Sequence, residues 1–242
     1  MTESEWLSSE DPAAMLHVMA SGIDSAGTRI GSDRKLRLLI AAGMRIVLPE
    51  SKLIPQVELM ADDRSIPPDG RWWPTDADPL DGARCVITAS RNEKSLIRLA
   101  CVLRDIIGNP WCPVALAPEE PGDAFKALDI LFRESRREPK ASYLPRSVLT
   151  WNAGIVTLLA ESVYDERNPD GTLEPVRLAI LADALEEAGC DNAELLAHLR
   201  GLEHRHAVLS GGLVSREPCV WSPLRGPHVR GCWALDLILG KE

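Results

Sequence analysis

Hydrophobic residues recur along this chain mainly at spacings of three and four, which is the period of an amphipathic α-helix. The clearest example is the segment NEKSLIRLACVLRDIIGN, whose apolar face consists of Leu96, Ile97, Ala100, Leu103, Ile106 and Ile107. Capping residues frame other segments: Asp11-Pro12 begins a helix expected over 12–20, and Ser32 begins one that runs through DRKLRLLIAAGMRIVL. The pattern therefore predicts a protein built mainly of helices.

Further helices are expected near 57–62 and in five later segments: DAFKALDILFRESRRE, WNAGIVTLLAESVYDER, EPVRLAILADALEEAGC, DNAELLAHLRG and VRGCWALDLILGK. Alternating strand patterns are almost absent, and the one short candidate, CVITAS at 85–90, fits a helix equally well. Residues 64–82 contain four prolines and two glycines, so we expect an irregular loop there. The fold class predicted is mainly α.

Two segments near opposite ends of the chain resemble each other. DPAAMLHVMASG at 11–22 and DNAELLAHLRG at 191–201 each begin with Asp, carry a pair of large apolar residues and end with Gly. A unit used twice indicates stacked αα-hairpins, similar to a helical repeat and joined by long irregular loops. The alternative is that any two capped amphipathic helices share these features.

We expect a single helical domain over 1–242. Within it the pattern separates N-terminal helices at 1–63, a Trp/Pro loop at 64–82, a central helical body at 83–200, a His/Cys/Arg-rich insert at 201–226 and a C-terminal helix at 227–242. This division follows the clusters of proline and glycine and the change in composition near the C-terminal end.

Composition changes this picture little. The 242 residues are 45% hydrophobic and 26% charged, and a chain of this size buries enough apolar surface to fold without a disulfide or a metal. The net charge of −9 argues against non-specific binding to nucleic acid or to anionic membranes. The acidic N-terminal segment is unlike a signal peptide, and the longest apolar run is too short to span a membrane. We expect a cytoplasmic protein whose six cysteines are free thiols.

Several blocks of the chain together resemble an uncharacterised bacterial family found in large genomes: MTESEWLSSEDPAAML, SDRKLRLL, LRDIIGNPWCPVAL, VYDER, LAILADALEEAGC and HVRGCWALDLILGKE. The segment VRLAILADALEEAGC is also similar to the bacterial repeat-companion domain, which accompanies protein-interaction repeats. These resemblances cover about half of the chain and imply a largely helical protein without an established activity. The family often has cysteines after the SDRKLRL block, where this chain reads IAAGMR, and the segment LEHRHAVLSGGLVSREPCVWSP lies outside the resemblance.

Residues that bind metals are concentrated near the C-terminal end. Four of the five histidines and two of the six cysteines lie within 35 residues: His198, His204, His206, Cys219, His228 and Cys232. Imidazole and thiolate are the ligands that Zn²⁺ prefers, and the spacing of His228 and Cys232 would put both on one face of a helix. The candidate Zn ligands are His204, His206, Cys219, His228 and Cys232.

The same residues also have simpler explanations. His204 and His206 fit solvated positions on a loop, and Cys232 beside Trp233 fits a core position. No CxxC pair is present in the region, so the spacing matches no established zinc motif. The default expectation is therefore a protein without a cofactor, with Zn as the alternative.

The motif GRWWP supplies a candidate partner-binding site at Arg71, Trp72 and Trp73. Trp and Arg dominate the binding energy of protein–protein interfaces. The alternative is that the two indoles dock on the protein's own surface, with Arg71 stacked on one of them.

Charge is distributed unevenly along the chain. Residues 198–242 contain six basic and four acidic residues, whereas the first 197 contain 21 basic and 32 acidic. The arginines of this C-terminal region either form a patch for phosphate or RNA or pair with acidic helix surfaces elsewhere. The surplus is too small to favour nucleic acid.

No nucleophile elbow, Walker loop or dinucleotide motif is present in the sequence, and paired carboxylates such as Asp183 and Glu187 fit a solvated helix face. We therefore expect a non-enzymatic protein–protein interaction or scaffold module that binds a protein partner. The alternative is a Zn-binding protein or metalloenzyme that uses the C-terminal His/Cys cluster.

Overall fold

Helices form most of the molecule, as the sequence predicts. The computed structural model describes residues 1–21, 31–63, 78–111, 113–117, 142–205, 220–224 and 226–241. The first half contains α1 (Glu3–Ser8), α2 (Pro12–Ser21), α3 (Asp33–Val47), α4 (Ile54–Asp62), α5 (Pro79–Ala89) and α6 (Glu93–Ile107). The second half contains α7 (Arg146–Thr150), α8 (Ile155–Asp165), α9 (Pro175–Glu187), α10 (Ala193–Leu199) and α11 (Trp233–Leu239).

Two short pairs of strands accompany the helices, although the sequence shows almost no strand pattern. β1 (Val114–Leu116) pairs in parallel with β2 (Ser142–Leu144), and β3 (Leu202–Arg205) pairs antiparallel with β4 (Val220–Pro223). Each strand has only three or four residues, too few for an alternating pattern to stand out. The second pair borders the expected insert at 201–226, so both ends of that insert are regular structure.

Side-chain caps explain where several helices begin. Ser32 accepts a hydrogen bond from Lys35 N at the start of α3, and Asn92 accepts one from Ser95 N at the start of α6. Asp78 accepts one from Leu80 N, and Pro79 occupies the first turn of α5. The expected loop at 64–82 was therefore too long, because residues 79–82 belong to α5, and most of CVITAS is helix and not strand.

Two predicted helices begin later than expected. In WNAGIVTLLAESVYDER, Asn152 and Ala153 have positive φ angles, so residues 151–154 form a short 3₁₀ turn and α8 begins at Ile155. The C-terminal helix begins at Trp233 and not near residue 227. Gly231 precedes it with φ +90°, a conformation outside the right-handed helix.

The two segments predicted to be repeats, 11–22 and 191–201, both form capped helices. Asp11 caps α2 by accepting hydrogen bonds from Ala13 N and Ala14 N, whereas α10 is capped by Asn192 and not by Asp191. Repetitive stacking of αα-hairpins stays a prediction. The predicted helix DAFKALDILFRESRRE lies outside the described residues.

The hydrophobic interior consists of two clusters. The first includes Trp6 and buried residues of α2, α3 and α6, and the second includes Tyr164 and buried residues of α8 to α11. Contacts of α11 with α6 and with α8 join them. No helix among the described residues has the length and apolar character needed to cross a bilayer.

Candidate metal centre

Four buried polar side chains converge where the two hydrophobic clusters meet. Asp105 comes from α6, His198 from α10, and His228 and Cys232 from the segment that leads into α11. Each residue is at most 8% exposed, and one ligand atom from each lies within 4.8 Å of the others. A carboxylate, two imidazoles and a thiol are ligand types of Zn²⁺.

Four of the separations between ligand atoms in this group lie near those of a four-ligand site. Asp105 Oδ1 lies 2.7 Å from His228 Nδ1 and 3.2 Å from His198 Nε2. Cys232 Sγ lies 3.2 Å from His198 Nε2 and 3.8 Å from His228 Nδ1. In a tetrahedral zinc site the bond lengths imply ligand–ligand separations of about 3.3–3.6 Å. These four separations lie within about 0.6 Å of the tetrahedral values, the largest difference being the close approach of Asp105 Oδ1 to His228 Nδ1.

The orientation of the imidazoles separates this group from a catalytic triad. In a Cys–His–Asp triad the thiol and the carboxylate lie on opposite nitrogens of one imidazole. Here His198 directs the same nitrogen, Nε2, toward both Cys232 and Asp105, and His228 likewise directs Nδ1 toward both. Convergence of one nitrogen per ring is the geometry of ligands around a shared cation.

Backbone contacts fix the segment that carries His228 and Cys232. Val229 N donates a hydrogen bond to Asp105 Oδ2 at 2.8 Å, and Leu173 N donates one to His228 O at 2.9 Å. A Cβ added at Gly231 would lie 2.7 Å from a methyl carbon of Leu38, so only glycine allows this close approach. The turn at 229–232 is thereby pressed against α3 and α6, which holds His228 and Cys232 beside Asp105.

Burial and the interactions among these side chains shift the pKa values of Asp105, His198 and Cys232. Burial raises the pKa of the Asp105 carboxyl, but attraction to His228 and hydrogen bonds from both imidazoles outweigh it and hold that pKa well below its ordinary value. Burial lowers the pKa of His198, which favours its neutral form. Burial also raises the pKa of the Cys232 thiol well above its ordinary value, and a bound cation would reverse this effect.

The sequence prediction identified part of this group. His228 and Cys232 lie together, although on a turn and not on one face of a helix. His198 belongs to the same concentration of histidines but was not among the five candidate ligands. Asp105 was missed because it lies far away in sequence on α6, and no local pattern links it to the histidines.

Other candidate residues lie beyond what the structure describes. The backbone of His204 is in β3, opposite Trp221 in β4, but its side chain is outside the described part of the chain. His206 and Cys219 are also outside it, as are the partner-binding candidates Arg71, Trp72 and Trp73. Their roles stay predictions.

Two arginines of the C-terminal region pair with carboxylates of other helices. Arg200 donates hydrogen bonds to Asp183 at 2.8 Å and to Glu186 at 2.5 Å. Arg230 pairs with Asp62 on α4. The side chains of the other arginines that could form such a patch lie outside the described residues: Arg205, Arg216 and Arg225.

Of two cavities in the described part of the chain, one borders the group of four buried polar side chains, and the other does not. A cavity of about 60 Å³ is bordered by Asp105 and His198 together with Glu194 and Glu203. A much larger apolar groove of about 890 Å³ lies between α3, α4 and α5, with Cys85 in its wall. The small cavity therefore borders two of the four converging side chains.

Comparisons with protein-family models, with curated proteins and with solved structures found no match to this chain. The resemblance to an uncharacterised bacterial family therefore stays a prediction.

Proposed function

We propose that this protein binds a divalent transition metal, with Zn²⁺ as the preferred ion. The ligands are Asp105 Oδ1, His198 Nε2, His228 Nδ1 and Cys232 Sγ. The observation that supports the proposal is the convergence of these four atoms within 4.8 Å in a buried position. Such clustering of unlike polar groups in a protein interior is costly unless they are paired or bind an ion.

The ligand types favour zinc over the hard cations. Thiolate and imidazole suit Zn²⁺, whereas Mg²⁺ and Ca²⁺ require oxygen ligands. With the carboxylate and the thiolate both ionised, a bound Zn²⁺ gives a site of zero net charge. A neutral site avoids the large cost of an unbalanced charge in the interior.

The role that fits this site is structural stabilisation. Four protein ligands fill a tetrahedral coordination sphere, as in structural zinc sites, and leave no position for substrate. The ligands come from α6, from α10 and from the turn before α11, so one ion ties the first hydrophobic cluster to the second.

Elemental analysis of protein purified without an affinity tag tests the proposal. We expect about one zinc per chain, and a large loss of zinc in Cys232→Ala and in His198→Ala. Cys190→Ala is the matched control, because Cys190 is also a buried free thiol but lies outside the group. Less than about 0.1 metal per chain after growth with zinc would contradict the proposal.

An interaction or scaffold function is a second proposal, carried by the sequence prediction at Arg71, Trp72 and Trp73. Among the described residues, the large apolar groove between α3, α4 and α5 favours it, because exposed apolar surface of this kind commonly mediates association. Alanine at both Trp72 and Trp73 should abolish capture of a specific protein partner and leave the melting temperature unchanged. Partner capture that persists while stability falls would contradict it.

A further inference from the structure

A second polar cavity, of about 70 Å³, lies beside α3, α4 and α6 and is distinct from the metal centre. Three arginines line it, Arg45, Arg98 and Arg230, each from a different part of the chain. Two carboxylates, those of Glu58 and Asp170, also line it. Cationic side chains are therefore in the majority around this cavity.

Around this cavity, arginines outnumber the carboxylates that pair with them. Glu58, with a side chain only 7% exposed, accepts hydrogen bonds of 3.0 Å from Arg45 Nη2 and from Arg167 Nη1. The same carboxylate lies 3.7 Å from Arg230 Nη1. The single negative charge of Glu58 is thus shared by three guanidinium groups.

The neighbouring carboxylates are shared as well. Asp62 pairs with Arg230 and also with Arg34, at 3.0 Å. Asp236 lies 2.7 Å from the same Arg34. Four arginines are therefore connected through three carboxylates in a largely buried network.

Arg98 adds a further positive charge. It is exposed on α6, and within the described part of the chain it has no hydrogen bond or ion pair. Asp170 is the only additional carboxylate lining the cavity among the described residues, and Thr172 N and Oγ1 donate hydrogen bonds to it at 3.0 and 2.7 Å. With both residues counted, arginines still outnumber carboxylates.

An anion in the cavity would give the exposed Arg98 a hydrogen-bond acceptor and would balance the surplus positive charge without breaking an existing ion pair. The cavity is large enough for a tetrahedral oxyanion, since a single water needs only about 10–15 Å³ of comparable volume. Guanidinium groups match the oxygens of phosphate in bidentate geometry. Gly171 contributes to the preorganisation of the wall, because a Cβ at this position would overlap the Arg45 guanidinium.

We propose that this cavity binds a phosphate group, either as inorganic phosphate or as the terminal group of a small phosphate monoester. Arg45 and Arg230 form the inner wall, and Arg98 closes the site from the solvent side. The residues that line this site are not the metal ligands, although Arg230 lies on the turn between His228 and Cys232.

Calorimetric titration of the protein as purified, at constant ionic strength, tests this proposal with inorganic phosphate and with phenyl phosphate. We expect binding of at least one of the two, and none of chloride. Arg98→Ala should weaken that binding by about tenfold or more, because it removes a charged hydrogen-bond donor. Arg98 has no partner among the described residues to lose, so the variant should keep the melting temperature of the unmodified chain.

Arg91→Ala is the matched control, since Arg91 is another exposed arginine just before α6 that does not line the cavity. It should leave phosphate binding unchanged. Tighter binding of phenyl phosphate would identify a monoester as the ligand class, and tighter binding of inorganic phosphate would identify the free anion. The proposal is overturned if neither anion binds more tightly than chloride, or if Arg98→Ala binds as tightly as Arg91→Ala.

Discussion

Asp105 illustrates how one side chain serves two purposes in the metal centre. Its Oδ1 faces both imidazoles, while its Oδ2 accepts a hydrogen bond from Val229 N. The second contact fixes the carboxylate and the turn that carries His228 in the same position. Asp105 is therefore a ligand candidate and also the residue that orients another ligand.

Replacing Asp105 by Asn should test both purposes. The amide keeps the shape but removes the negative charge of a proposed ligand, so we expect metal affinity to fall by more than about tenfold to a hundredfold, the range typical of residues that only orient a ligand. The metal-free variant should lose roughly 1–3 kcal/mol of unfolding free energy, because Val229 N and the imidazoles lose a charged hydrogen-bond partner. Urea denaturation and zinc titration measure the two effects.

The control for this change is Asp81→Asn, at an exposed ion pair with Arg84 within α5. Its effect on stability should stay within about 0.5 kcal/mol. Equal losses in the two variants would contradict the importance assigned to Asp105.

Glu194 provides a prediction about pH. Burial, with a smaller contribution from Glu3, raises the pKa of Glu194 from 4.5 to about 7. Between these values the folded state holds a proton that the unfolded state has released, so this residue's contribution to stability is present below pH 4.5 and is lost as the pH rises through 7. Glu194→Gln should therefore be more stable than the unmodified chain at pH 8, by roughly 1–3 kcal/mol.

Urea denaturation at pH 8 and at pH 4.5 checks this difference. The advantage of Glu194→Gln should largely disappear at the lower pH, where the carboxyl is protonated in the folded state and half protonated in the unfolded state. Glu93→Gln, at an exposed position in the first turn of α6, is the control and should show no comparable gain at pH 8. A constant difference between the two pH values would contradict the assignment.

At the level of elements, caps and periodicity predicted the positions of most helices. Asp11-Pro12, Ser32 and Asn92 each begin a helix where the pattern places it, because these side chains satisfy free backbone N–H groups. The errors lie where long-range packing decides the backbone. The turn at 229–232 is held by Asp105 and Leu38, which are distant in sequence, so local pattern extended the last helix across it.

Gly231→Ala should disturb this turn. The residue has φ +90°, and a Cβ there would lie 2.7 Å from Leu38, so we expect a loss of about 2 kcal/mol or more in unfolding free energy. The displacement of the turn should also move His228 and Cys232, which would weaken zinc binding. Thermal unfolding and zinc titration of the variant measure both effects.

Gly240→Ala is the control, because Gly240 also has a positive φ angle but has no heavy atom within 4 Å of an added Cβ. It should lose about 1 kcal/mol from backbone strain and bind zinc as the unmodified chain does. Zinc affinity that stays unchanged in Gly231→Ala would show that the turn does not position the ligands.

In the whole molecule, the proposed metal centre and the arginine network both lie where elements of the two hydrophobic clusters meet. Sequence reasoning identified the concentration of histidines and cysteines near the C-terminal end, and two of its five candidate ligands belong to the group in the structure. Sequence reasoning did not identify Asp105, because tertiary packing, and not proximity in sequence, brings α6 close to the C-terminal segment. The apolar groove likewise has no signature in the sequence.

Because the proposed metal centre lies between the two hydrophobic clusters, we predict that a bound metal stabilises the whole fold and not one end of it. Removal of zinc by a chelator should lower the melting temperature as a single transition, because the ligands come from both clusters. Zinc at 100 times its dissociation constant should restore about 2.7 kcal/mol. A chelator effect confined to one of two separate transitions would contradict this prediction.

Cobalt substitution tests the metal centre most directly, because the absorption spectrum of bound Co²⁺ reports both geometry and ligand type. We expect one equivalent of Co²⁺ to give the intense visible bands of a tetrahedral site and a thiolate-to-cobalt charge-transfer band. The charge-transfer band should vanish in Cys232→Ala and persist in Cys190→Ala. A weak octahedral spectrum, or a charge-transfer band that survives in Cys232→Ala, would contradict the proposed ligand set.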